Sequence, residues 1–200
     1  MTEFKKFPKI ARYCREVIVS EKIDGTNASI YIGNDGEFLT GSRNRWIVPS
    51  DDNYGFSAWA HEHKEELLQL GAGLHYGEWW GKGIQRKYGM DEKRFSLFNA
   101  VRWCKEGEEP QLIPKQDPRI VKYQEVLPGC CDLVPVLWRG SFEDLDAKEI
   151  MKSLKGFGSQ AAPGYFNPEG IVIFHTAGST AFKMTFESDT KGKGRAGEMR

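Results

Sequence analysis

Lys22 is the side chain in this sequence with the clearest setting for a nucleophile. It stands in Glu21-Lys22-Ile23-Asp24-Gly25-Thr26-Asn27, between two strand-like runs. A turn-forming Asp-Gly therefore follows a lysine at a strand end, and the amine projects from a rigid edge. Such an amine must be neutral to attack, whereas an ordinary lysine has a pKa of about 10.4. Neighbouring cations or desolvation lower it. The same tetrad also fits a plain hairpin turn with a solvated lysine. Four further segments hold candidate residues: Gly41-Ser42-Arg43-Asn44, Tyr76-Gly77-Glu78-Trp79-Trp80-Gly81, Phe95-Ser96-Leu97-Phe98 and Pro168-Glu169-Gly170-Ile171-Val172-Ile173. Singly, each has an ordinary structural explanation as an exposed turn, a strand with one acid, a core aromatic or a turn into a buried strand. Gly81-Lys82-Gly83 lacks the rest of a P-loop, which excludes that motif. His61 and His63, two apart on an expected helix, face different ways, and neither is read as a metal ligand.

In order along the chain, from about Glu21 to Lys183, these segments resemble the motifs of the covalent nucleotidyltransferase superfamily of polynucleotide ligases and capping enzymes. The RNA ligase 2 family of phage and kinetoplastid ligases looks most similar. The resemblance implies that Lys22 attacks the α-phosphate of ATP to form a lysyl-adenylate. Glu21, Ile23 and Asn27 match flanking positions that contact the nucleotide. Arg43 would contact ribose or phosphate, and Glu78 the ribose hydroxyls, since a carboxylate accepts from both. Phe98 would stack on adenine, with Phe95 the alternative ring. Glu169, with Asp24, would hold the divalent metal, Mg²⁺ or alternatively Mn²⁺. The last motif departs from the family's K-x-K. Lys183 matches its first lysine, but Thr185 occupies the second position and carries no charge to offset a developing negative one. Either Lys183 suffices, or Lys191 or Lys193 folds back.

The implied reaction passes AMP from Lys22 to a 5′-phosphate end, and a 3′-hydroxyl then displaces it. RNA is favoured over DNA, because ATP-dependent DNA ligases of the superfamily carry an oligonucleotide-binding barrel after the last motif. Here only residues 186–200 follow Thr185. Grip on the substrate would come from the basic segments Lys82–Arg94 and Lys191–Arg200, or from a partner protein that supplies the missing domain. A non-catalytic module that holds nucleotides or nucleic-acid ends, and a minimal ATP-dependent DNA ligase, are the alternatives.

These side chains need elements to hold them. Strand-like runs dominate: 17–20, 28–32, 38–40, 74–77, 95–103, 171–175 and 181–185, with Gly33-Asn34-Asp35-Gly36 as a hairpin turn. One helix is expected over 55–70, on the period of Phe56, Trp59, Ala60, Leu67 and Leu70. Another follows the capping-box pattern Ser141-Phe142-Glu143-Asp144, with Ala147, Ile150, Met151 and Leu154 as its stripe and Gly156 and Gly158 as its stop. These runs suggest an α+β domain with mostly antiparallel sheets, and the resemblance implies an ATP-grasp-like domain over 1–187, of two such sheets with outer helices. Residues 105–117 read as a surface loop and 188–200 as a mobile basic tail.

Composition agrees with a single globular unit. The 200 residues are 40% hydrophobic and 28% charged, with 28 basic side chains balancing 28 acidic ones. A protein that coats nucleic acid by bulk charge is therefore excluded, though not one with local patches. No apolar run reaches the ~18–20 residues of a transmembrane span, and Met1 to Lys6 lacks a signal-peptide core. Cys14, Cys104, Cys130 and Cys131 show no C-x-x-C spacing, as suits reduced thiols in a cytoplasmic protein.

Overall fold

Short alternating runs, closed by Gly- and Asp-rich turns, build two sheets. The structure, a computed structural model, describes residues 3–7, 9–103 and 127–187. The first sheet has the order β10-β9-β1-β8, formed by β1 (Glu16–Lys22), β8 (Val136–Ser141), β9 (Gly170–His175) and β10 (Thr180–Thr185). The second has the order β4-β3-β2-β5-β6-β7. Its strands are β2 (Thr26–Ile32), β3 (Phe38–Ser42), β4 (Trp46–Ile47), β5 (Gly73–Gly81), β6 (Lys93–Leu97) and β7 (Asp132–Leu133). Among these strands every pairing is antiparallel except β6 with β7. The chain thus adopts the expected α+β class.

One face of each sheet is apolar and lies under helices. Helices α1 (Phe56–Glu62) and α2 (Lys64–Leu67) bring Phe56 and Leu67 against Ile30, Trp79 and Phe95 of the six-stranded sheet. Helix α4 (Ala147–Phe157) lays Ile150, Met151 and Leu154 on Val19, Leu137 and Ile171 of the four-stranded sheet. A strand's period of two sends the alternate residues to the opposite face. Ile18, Ser20 and Lys22 of β1, and Leu74, Tyr76 and Glu78 of β5, accordingly line one cleft.

Three local expectations need correction. The helix expected over 55–70 is broken at His63 into α1 and α2, followed by a 3-10 turn at Leu68–Leu70. The polar His63 and Lys64 occupy the middle of the apolar stripe, so no apolar side chain there packs into the sheet, and Lys64 only lays its ammonium over the Phe38 ring, 5.4 Å from its centroid. The run 95–103 is not one strand. It leaves the sheet after Leu97, and the Asn99 side chain caps the short helix α3 (Ala100–Trp103) by accepting the Arg102 N–H at 3.1 Å. Ser141 makes no side-chain cap, and a 3-10 turn fills Phe142–Asp144. The cap of α4 is Asp146, whose Oδ1 accepts from Lys148 N at 3.1 Å and Glu149 N at 3.0 Å.

Asp146→Ala should therefore cost about 1 kcal/mol in a denaturant melt, while Ser141→Ala should leave the midpoint in place. Gly158 ends α4 at φ 79° as expected, with Gly156 inside the helix. Strand β8 was not anticipated; it pairs with β1, and its sequence VLWRGS alternates only weakly.

Cys14, Cys130 and Cys131 are free thiols. Cys104, the segment 105–117 and the tail 188–200, including Lys191 and Lys193, lie outside the described residues. Among the described residues no helix is long and apolar enough to cross a membrane.

Candidate active site

The Lys22 amine leaves β1 at its last residue and meets Glu169 across the sheet, with Nζ 2.7 Å from Oε2. Strand pairing fixes that meeting, because Lys22 lies opposite Gly170, the residue after Glu169. The chain then turns from β1 in the first sheet to β2 in the second through Asp24-Gly25. At Gly25 a Cβ would lie 2.5 Å from Trp79 O and 2.7 Å from Trp80 Cβ. Gly25→Ala should cost about 1–3 kcal/mol through this overpacking, visible as a lowered melting temperature together with weaker nucleotide binding.

Glu78, buried on β5, closes the other side. Its Oε1 accepts the Gly25 N–H at 2.9 Å, and its Oε2 accepts from Asn27 Nδ2 at 3.3 Å. Asn27 is its register partner on β2. Burial pushes the Glu78 carboxyl up to about 7, against the lowering pull of Lys22 and the Gly25 amide. The carboxylate is thus poised to change charge near neutrality.

Burial separates the two rings. Phe95 is fully enclosed against Phe56 and Trp59, whereas Phe98 is 41% exposed and lines the cleft. Arg43, in the tight turn between β3 and β4, and Lys183, on the edge strand β10, line the same cleft. The nine expected nucleotide contacts and Asp24 all reach the wall of this cleft of ≈ 1310 Å³.

Two of them do so differently from Lys22. Ile23 packs beneath the turn with Trp80 and Tyr88. Glu21 points to the opposite face of β1, where Oε2 accepts the amides of Gln160 (2.7 Å) and Ala161 (3.0 Å), while Oε1 has no hydrogen-bond partner among the described residues. Burial raises its pKa, offset in part by Ser159 and those amides. Its carboxylate props the wall rather than lying open in the cleft.

Asp24 is held by a residue that the motifs did not single out. Arg86 Nε lies 2.9 Å from Asp24 Oδ2, and Arg86 Nη2 lies 2.6 Å from Glu187 Oε1. The Tyr88 hydroxyl accepts the Asp24 N–H at 2.8 Å. In the sequence, Arg86 and Tyr88 showed only as part of a basic segment; their non-glycine left-handed backbone, with Gln85 at φ 42°, Lys87 at 58° and Tyr88 at 49°, is invisible there.

The donors suit a hard divalent cation. Glu169 and Asp24 both offer oxygens to the cleft, and among the described residues neither joins a cluster of three potential ligands within 4.8 Å. Two such donors suit Mg²⁺ or Mn²⁺, with phosphate and water to complete the shell. His63, Glu66 and Cys130 do cluster, outside the cleft lining, with ligand atoms within 4.8 Å. Burial and then Glu66 push the Cys130 thiol up to about 11, so it stands there as a thiol.

A lysine at a strand end, a carboxylate on its amine, a buried acid facing it and a half-exposed ring form a nucleotide-sized site on two sheets. A sequence model described as RNA ligase matches residues 15–186. The chain belongs to the RNA ligase family. Its fold matches a ligand-free Naegleria gruberi RNA ligase mutant with a TM-score of 0.56 at 20% identity, over 86% of this chain and 49% of that one. A mutant of that enzyme with ATP and Mn matches at TM-score 0.55 and 18% identity, over 86% and 49%. The enzyme with PPi matches at 0.53 and 18%, also over 86% and 49%. The chain thus spans about half the length of these structures, and at such identity the likeness concerns the fold.

Proposed function

We propose that this chain is an ATP-dependent RNA ligase that works through a covalent AMP on Lys22. The carrying observation is the meeting of Lys22, Glu169 and Glu78 at the end of β1 in a chain of the RNA ligase family. In the first step Lys22 Nζ bonds to the α-phosphorus of ATP, the bond to the β-phosphate oxygen breaks and pyrophosphate leaves. The amine gives its proton to solvent. A 5′-phosphate oxygen then takes the AMP from Lys22, and a 3′-hydroxyl displaces AMP to seal the strand. The protein's work in such in-line displacements is placement and charge stabilisation.

Glu78 would hold the ribose hydroxyls, Phe98 would stack on adenine, and Arg43 and Lys183 would meet ribose and phosphates. Glu169, with Asp24, would hold Mg²⁺ or Mn²⁺, which when bound offsets triphosphate charge. The Naegleria enzyme's complexes with ATP and Mn and with PPi support this choice of ligands. RNA over DNA rests on the family. For strand binding, Lys93 Nζ donates to Tyr54 O (2.6 Å) and Arg94 pairs with Glu92 (2.6 Å), so Lys82 and Lys87 are the contacts of that segment that we assign to substrate phosphates. We also propose a cytoplasmic location, which the free thiols of Cys14, Cys130 and Cys131 support.

The test is incubation with Mg²⁺ and ATP labelled at the α-phosphate, followed by denaturation. Acid-labile label on the chain, chased into sealed RNA rather than DNA, is the expected result. ATP binding without label would instead identify a nucleotide-holding module.

A further inference from the structure

We propose that Arg86 supplies the phosphate-binding cation that Thr185 lacks. This rests on the lysyl-AMP reading above and concerns the triphosphate end of the same site. The register of the four-stranded sheet places Lys22, Gly170 and Thr185 in one row across three strands. With adjacent strands about 4.8 Å apart, Thr185 stands roughly 10 Å from the nucleophile's strand. Gly170 between them presents no side chain, and none fits, since a Cβ there would lie 2.1 Å from Met184 O. The row is therefore filled in its middle, and its two ends, Lys22 and Thr185, both line the cleft, where the β- and γ-phosphates of a nucleotide on Lys22 would lie.

Arg86 lines the same cleft. It pairs with Asp24 and with Glu187, each two residues beyond one end of the row, and its Nη1 donates to Asn167 O at 3.5 Å. A single guanidinium thus spans from the nucleophile's turn to the end of β10. Its side chain is only 12% exposed, with Nε held 2.9 Å from Asp24 Oδ2 and Nη2 on the exposed Glu187. Nη2 is thus the donor that a ligand acceptor can take over.

The planar guanidinium matches phosphate oxygens in pairs, which an ammonium does not. Glu187, 79% exposed, is the weaker of its two anchors, because water screens that pair. A phosphate can displace it while Asp24 keeps the guanidinium in place. When the Lys22 Nζ–phosphorus bond forms and pyrophosphate leaves, the charge that builds on the leaving oxygens falls beside Arg86. Loss of one such preorganised donor costs on the order of 10²–10³ in rate.

The experiment compares wild type, Arg86→Ala, Arg86→Lys and the double variant Arg86→Ala/Thr185→Lys. The readouts are the rate of self-adenylylation and the affinities for ATP, pyrophosphate and AMP. Arg86→Ala should lose about a hundredfold in rate and more than tenfold in affinity for ATP and for pyrophosphate, with less than threefold change for AMP. The lysine at 185 should restore at least tenfold of the rate, and Arg86→Lys should fall between wild type and alanine. Equal loss for AMP and ATP, or no rescue from position 185, would mean that Arg86 only positions the Asp24 turn and would overturn the proposal. Wild-type rates in Arg86→Ala would do so too. A wild-type protein that takes no label would overturn the lysyl-AMP reading instead, and that result is separate from all of these.

Discussion

Lys22→Ala and Lys22→Arg should each abolish covalent labelling by α-labelled ATP, a loss of a thousandfold or more on the scale of removed nucleophiles (~10³ or greater). Alanine removes the attacking atom. Arginine keeps the charge and can still reach Glu169, which accepts Lys22 Nζ at 2.7 Å, but it stays protonated and cannot attack. The pair of variants therefore separates nucleophilicity from charge. ATP affinity should fall less in the arginine variant than in the alanine variant, which leaves the Glu169 carboxylate without its partner in a partly buried site. Both variants should remain folded by circular dichroism, since Lys22 ends its strand and its side chain is 25% exposed. Undiminished label in Lys22→Arg would move the covalent site elsewhere and remove the proposed mechanism.

Much of this site was legible in the sequence because its residues sit where periodic elements end. Lys22, Glu78 and Glu169 each stand at or beside a strand whose apolar alternation shows in the sequence, and a period of two is enough to say which side chains share a face. The α+β class followed from the same runs, while the two-sheet arrangement followed from the resemblance to the nucleotidyltransferases. What failed was local and had a physical reason in each case. A side-chain cap from Asn99 overrode a run that reads as continuous strand, and Asp146 outcompeted the better-looking capping box at Ser141. His63 broke a stripe whose two halves each looked helical.

Arg86 was unreadable for another reason. Its partners Asp24 and Glu187 are far from it in sequence, and nothing local marks a basic residue as the bridge between two strand ends. The choice between Phe95 and Phe98 also depended on burial, because both occupy positions that a strand and a site would use equally well.

Glu78 should make both stability and nucleotide affinity depend on pH near 7, in opposite senses. Its carboxyl is raised from the ordinary 4.5 to about 7 in the folded protein, chiefly by burial. The folded state thus binds this proton more tightly than the unfolded chain. Its favourable contribution is fully present below about pH 4.5 and is lost as pH rises through 7. The shift corresponds to about 3 kcal/mol at ~1.4 kcal/mol per unit. Glu78→Gln removes the charge but keeps an oxygen for the Gly25 N–H. The variant should accordingly melt higher than wild type at pH 8, by an amount that shrinks toward pH 5.

Ligand binding should run the other way. The ionised carboxylate accepts from two ribose hydroxyls, so wild-type affinity for adenosine should fall about tenfold between pH 8 and pH 6 as the acid protonates, one unit below a pKa of ~7. Glu78→Gln should bind adenosine weakly with no such slope, since the amide offers one acceptor at every pH. Adenosine is the informative ligand, because the phosphates of AMP and ATP, with a second pKa of about 6, titrate in the same range. Calorimetry at three pH values on both proteins checks this. A wild-type affinity flat with pH, or a glutamine variant that keeps the slope, would show that another group titrates in the cleft and that Glu78 does not hold the ribose. If stability and affinity do cross as described, the cleft keeps a buried acid at a cost to the empty protein because only the ionised form grips the nucleotide, which is the trade expected where a site rather than a core has set the residue.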